Sequence, residues 1–134
     1  MKRIFISILL CLLADGLQAQ DMNSSKLSWV VTQLNDEKTQ MATSYNCVFE
    51  TDGKQNIFWK QGSGSYTVTM IVTRVNGSWP DIKAIGKVEY EISMEGETGT
   101  LTFERLTAGV FITLDLGGSN FHHKYSVSQV SSSN

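Results

Sequence analysis

The stretch DIKAIGKVEYEISME, residues 81–95, decides the fold. Ile82, Ala84, Gly86, Val88, Tyr90, Ile92 and Met94 alternate with Lys83, Lys87, Glu89, Glu91, Ser93 and Glu95. A period of two sends successive side chains to opposite faces, so the spacing predicts a long strand with one dry face and one wet face. Gly86 in mid-strand predicts a corner or a bulge there. The dry face has three candidate surroundings: a packed core, a ligand cavity or lipid. Lipid fails, because in a membrane barrel the outward band must be apolar, and Lys83, Lys87, Glu89 and Glu91 would sit at bilayer depth.

On either side the punctuation is that of an all-β chain. Strands are expected at 27–34, 43–50, 56–61 and 66–75, separated by NDEKTQMA, TDGK and GSGS. NGSWPD at 76–81 leads into the opening strand, and EGETG, TAG and GGSN separate it from 100–106, 110–116 and 121–130. About eight strands on short connections imply antiparallel neighbours, since a parallel pair needs a long crossover. Residues 27–40 also contain good helix formers, so part of that stretch is open to a helical reading. The expected fold is a small antiparallel barrel of about eight strands, with a β-sandwich as the alternative; closure removes exposed edges. The remaining dry faces are Tyr66, Val68, Met70 and Val72; Leu101 and Phe103; Val110, Ile112, Leu114 and Leu116; and Phe121, Tyr125 and Val127. Each large side chain among them is worth about 1.5–3 kcal/mol when fully buried, which favours a filled interior over a cavity. Function then falls to loops and the outer surface.

The N-terminus has the three-part layout of an export signal: Lys2 and Arg3, the apolar run from Ile4 to Ala14, and Leu17-Gln18-Ala19 as a cleavage site. Residues 1–19 are expected to be removed, leaving 20–134 as one domain that is secreted or periplasmic. The apolar run is too short for the ~20 residues of a membrane span. Cys11 would leave with the signal, so Cys47 would remain alone, without an internal disulfide and most simply a buried thiol. Of 11 Lys and Arg and 13 Asp and Glu, Lys2, Arg3 and Asp15 belong to the signal. The remaining net charge of about −3 offers nothing to nucleic acid.

Catalytic and metal signatures are weak. His122 and His123 are adjacent, so on a strand one points outward and the other inward or to the rim, and they cannot chelate one metal together. GSGSY lacks the spacing of a nucleophile elbow, no phosphate-binding glycine loop occurs, and EGETG lacks the spaced oxygen ligands of a calcium loop. No enzyme activity, cofactor or metal is expected. Trp29 and Trp59 read as core residues, whereas Trp79 beside Pro80, the only proline, is either an exposed anchor for a partner or a plug folded back over the barrel end.

Trp29 in KLSWVV, a polar N-terminal stub and eight closely spaced strands behind an export signal resemble the small secreted lipocalin-like proteins of bacteria, including their compact β-barrel peptidase inhibitors. Leu27 stands where the lipocalin tryptophan usually has a glycine two residues ahead. The resemblance implies a protein-binding module, most concretely an inhibitor of a secreted peptidase. The candidate contacts are Gln20, Asp21 and Met22 in the stub, Gly62, Ser63 and Gly64 in one loop, and Trp79 and Pro80 in another. Two other roles stay open, a carrier of a small apolar ligand and a structural or adhesive surface protein. The sequence names neither the target nor the oligomeric state.

Overall fold

The computed structural model describes residues 21–53, 55–62, 64–118 and 120–132. The proposed signal at 1–19 and the candidate residues Gln20 and Ser63 lie outside them. Eight strands follow one another: β1 (Leu27–Asn35), β2 (Ala42–Thr51), β3 (Asn56–Gln61), β4 (Tyr66–Asn76), β5 (Gly86–Met94), β6 (Glu97–Leu106), β7 (Gly109–Leu116) and β8 (Phe121–Ser132). Each pairs antiparallel with the next, and β8 returns to β1, with Trp29 opposite Val130 and Leu34 opposite Tyr125. The sheet is therefore a closed barrel and not a sandwich. Among the described residues there is no helix; β1 takes the stretch that also read as helix former, up to Asn35.

Bulges provide the curvature. Register shifts fall between Val31 and Gln33 on β1, against both of its neighbours, and between Val72 and Arg74 on β4. Each adds a residue to one strand and so bends and twists it. The expected corner at Gly86 is not one of them. β5 begins at Gly86, five residues later than the alternation predicts, because Asp81 turns the chain first. Its Oδ1 accepts the N–H of Lys83 and its carbonyl the N–H of Ala84, a local turn that competes with strand pairing. Ala84 is exposed in consequence, and not part of the dry face.

From Val88 onward the alternation holds: Val88, Tyr90, Ile92 and Met94 are buried, and Lys87, Glu89 and Glu91 face outward. The barrel axis is filled by rings. Trp79 packs on Trp29 (centroids 5.9 Å apart), Trp29 on Phe103 (4.9 Å), and Phe103 on Phe49 (6.3 Å). Phe49 then meets Tyr125 and Tyr125 meets Tyr45, both at 5.7 Å. Such tilted and edge-on pairs are worth about 0.5–1.5 kcal/mol beyond their burial. Tyr66 departs from the expected dry face: as the first residue of β4 it stands 56% exposed at the rim.

Candidate functional site

In a ring of antiparallel hairpins, consecutive connections must alternate between the two ends. The connections from β2 to β3, β4 to β5 and β6 to β7 share one end with the stub at 21–26; those from β1 to β2, β3 to β4, β5 to β6 and β7 to β8 share the other. The stub and the Trp79 loop are thus neighbours, whereas Gly62 and Gly64 lie at the opposite end. The candidate contacts do not form one surface.

The first end is plugged. The Met22 N–H donates to the Trp79 carbonyl at 3.0 Å, and the Met22 side chain is wholly buried. Asp21 turns the stub, its Oδ1 accepting the Asn23 N–H at 2.8 Å. The stub then presses so close to Gly53 (φ +100°) that a Cβ there would stand 2.7 Å from the Asn23 carbonyl oxygen. Trp79 is 1% exposed, and its Nε1–H donates to the Ala84 carbonyl at 2.9 Å. Of its two sequence readings the structure takes the plug, and an exposed anchor is corrected accordingly: the indole gains more by covering Trp29 than it would in water. Met22 is withdrawn as a free contact for the same reason. Pro80 stays exposed beside them. Two apolar side chains, Ile85 and Leu106, are also exposed at this end.

The second end is open. A recess of about 440 Å³ is bordered by Leu34, Thr43 and His123 on the strand ends, by Asn120 just before β8, and by Asp36, Glu37 and Lys38 on the β1–β2 loop. Beneath it the ring column ends in polar atoms: the Tyr45 hydroxyl donates to Gln61 Oε1 at 2.8 Å, and His123 Nδ1 lies 3.3 Å from the Tyr125 hydroxyl. Burial, followed by the charge of His122, pushes the His123 imidazole below its ordinary range. Gly62 and Gly64 (φ +57° and +82°) form a tight exposed turn on the rim, with the Gly64 N–H donating to the Gln61 carbonyl at 3.1 Å. Met41, 67% exposed, and Tyr66 stand on the same rim. Carboxylates of Asp36, Glu37, Glu95, Glu97 and Asp115 surround it, and Tyr66 Oη reaches Glu95 Oε1 at 3.4 Å.

The open end therefore combines a recess, two exposed large side chains and an acidic border. Sequence reasoning found Gly62 and Gly64 but missed Met41, Tyr66, Glu37 and His122. The parity of the hairpins was the signal for grouping them, since every second loop of such a barrel shares an end. His122 points outward between two carboxylates, Asp115 at Nδ1 and Glu37 at Nε2. These approach opposite sides of the ring, so the three cannot converge on one cation. Among the described residues no group of three or more His, Cys, Asp or Glu is placed to hold a metal ion.

Cys47 lies deeper, buried against Trp59, and burial pushes its thiol up to about 11; the Trp59 N–H beside it acts weakly the other way but is outside hydrogen-bond geometry. No helix among the described residues is long and apolar enough to cross a membrane. No family model matches the chain, and no curated protein or solved structure is significantly similar to it.

Proposed function

We propose that the barrel is a non-catalytic binding module that engages a protein partner with its open rim, through the described residues of the connections from β1 to β2, β3 to β4, β5 to β6 and β7 to β8. The observation that carries this reading is the difference between the ends: one is plugged by Met22 and Trp79, and the other presents Met41 and Tyr66 around a recess. Tyrosine and methionine are among the residue types enriched where proteins meet. The acidic border favours a partner with a basic contact surface, which it would steer into encounter. The filled axis supports this over the carriage of an apolar ligand, because an acceptor for such a ligand would need the volume that Phe49, Phe103 and Tyr125 occupy.

An exported peptidase with a basic surface is the concrete target, given the resemblance to compact barrel inhibitors. The test is titration of the protein against a panel of purified secreted peptidases, with Met41→Ser/Tyr66→Ala as the rim variant and Pro80→Ala as the control at the plugged end. The rim variant is expected to weaken capture at least tenfold, about 1.4 kcal/mol, with an unchanged melting temperature. The control should bind as the wild type does. Equal losses at both ends, or uptake of an apolar fluorescent probe with no protein captured, would overturn the proposal.

A further inference from the structure

His122 stands at the second position of β8 with both ring nitrogens against carboxylates: Nδ1 lies 3.2 Å from Asp115 Oδ2 on β7, and Nε2 lies 3.0 Å from Glu37 Oε2 on the β1–β2 loop. A neutral imidazole has one N–H, and its other nitrogen carries a lone pair. In that form one carboxylate faces a donor and the other faces a lone pair. Only the imidazolium donates to both, and charge-assisted bonds of this kind are about twice as strong as neutral ones.

Glu37 belongs to a loop that is otherwise folded on itself. The Asp36 N–H donates to the Met41 carbonyl and the Gln40 N–H to the Asp36 carbonyl, both at 2.9 Å, while Asp36 Oδ1 accepts the Lys38 N–H at 2.8 Å. Gln40 takes a left-handed turn at φ 60°. The loop therefore keeps its internal shape by its own bonds, and the contact of Glu37 with His122 ties it to a strand 85 residues away in sequence.

We infer that His122 is a protonation-dependent latch that seats the 36–41 loop beside the open mouth as imidazolium and releases it as neutral imidazole. The two charged groups in contact with the ring are both carboxylates. Glu37 faces it from the loop and Asp115 from β7, while Asp36, turned onto its own loop, and Lys38, the opposing charge, border the same recess. Lys124, further along β8, is drawn over the Phe111 ring at 4.7 Å. His123 points to the other side of the sheet, toward Tyr125. Partial burial works against the charge on His122, but the hydrogen bonds and charges of Glu37 and Asp115 outweigh it and hold the ring above the ordinary histidine range. The latch is a property of the loop, so it stands whatever the mouth receives; its consequence is that the seating of the loop around Glu37 changes with pH.

The test is an NMR titration of the purified protein between about pH 5 and 9, spanning the ordinary histidine value. It follows the two histidine rings and the heteronuclear NOE of the amides at 37–41. His122 is expected to titrate above the ordinary histidine value, and the loop amides to lose order with the same midpoint. Asp115→Asn should move both midpoints down together. Glu37→Gln should lower the ring midpoint and leave the loop equally mobile at every pH, and His123→Gln should leave ring and loop coupled. Loop amides that are equally ordered on both sides of the His122 midpoint, or that follow His123 instead, would overturn the latch.

Discussion

The Trp79 indole lies directly on the α-carbon of Gly86: a methyl group built there would stand 2.1 Å from Cδ1 of the ring. Real side chains never come so close, so glycine at 86 is required by the plug and not by a bend in the strand. Gly86→Ala must expel the ring from its seat, which uncovers Trp29 and frees Trp79 Nε1 from the Ala84 carbonyl. The expected loss is about 2–4 kcal/mol in urea unfolding, close to that of Trp79→Ala. Because both changes remove the same packing, the double variant should cost little more than either alone. Full additivity would show that ring and glycine act independently.

Val88 and Lys87 test the face assignment. Val88 is fully buried opposite Phe103 on β6, whereas Lys87 faces outward opposite Glu104 on the same strand. Val88→Asp places an unpaired charge in the core and should cost about 3 kcal/mol or more, enough to unfold a marginal barrel. Lys87→Asp sets like charges side by side at the surface and should cost under about 1 kcal/mol. Chemical denaturation of the two variants under one set of conditions decides the matter.

Strand positions were legible because each is written locally. Val88, Tyr90, Ile92 and Met94 alternate without interruption, and 56–61 is recovered residue for residue as Asn56–Gln61. Closure was also favoured by the run of short connections. What failed depends on distant residues or on side chains competing with the backbone. Asp81 delays the start of the strand by capping its own turn, and Trp79 is buried because Met22 and Gly86 make room for it. Tyr66 alternates correctly with Val68 but stands at the rim, where alternation no longer implies burial. The site was hardest to see. His122 and Glu37 are far apart in sequence, and only closure of β8 onto β1 brings them together.

Two buried polar groups should respond oppositely to removal. Trp29 Nε1–H donates to Thr51 Oγ1 at 3.1 Å, and Thr51 is itself buried. Thr51→Val therefore leaves a buried donor unpaired and should cost about 1–3 kcal/mol. The Tyr90 hydroxyl is buried without a hydrogen-bond partner among the described residues, and burial pushes its pKa up. Tyr90→Phe removes that unsatisfied group with no loss of ring packing against Phe103, and stability should stay level or rise by up to about 1 kcal/mol. A loss for Tyr90→Phe as large as that for Thr51→Val would reveal an acceptor for the hydroxyl.

Cys47 should be silent toward thiol reagents while the barrel is closed. Its pKa of about 11 leaves little thiolate at pH 8, and β1 and β3 flank its strand on both sides. Alkylation by iodoacetamide is expected to follow the unfolding transition in urea, rising at the same midpoint as the loss of tryptophan fluorescence anisotropy. Rapid labelling in buffer alone would mean that β2 opens locally.

The adjacent histidines should tilt stability against pH in opposite directions. His122 has a raised pKa in the fold, so its contribution is complete below the unfolded value of about 6.5 and is lost as pH rises through the folded value. His123 has a lowered pKa, so the folded state resists its protonation, and stability falls as pH drops below about 6.5 toward the folded value. The two effects fall on opposite sides of about pH 6.5, so the wild type should be most stable near that value. His122→Gln should keep only the second, giving a protein that loses stability on acidification from about pH 6.5 to 5 and is level above it, and His123→Gln should keep only the first, giving one that is level below about pH 6.5 and loses stability as pH rises toward 8. Both effects should stay within about 1 kcal/mol, because ion pairs of half-exposed side chains are screened by solvent. Urea midpoints measured at pH 5, 6, 7 and 8 read the sign directly, and equal slopes in the two variants would mean that the rings share one environment.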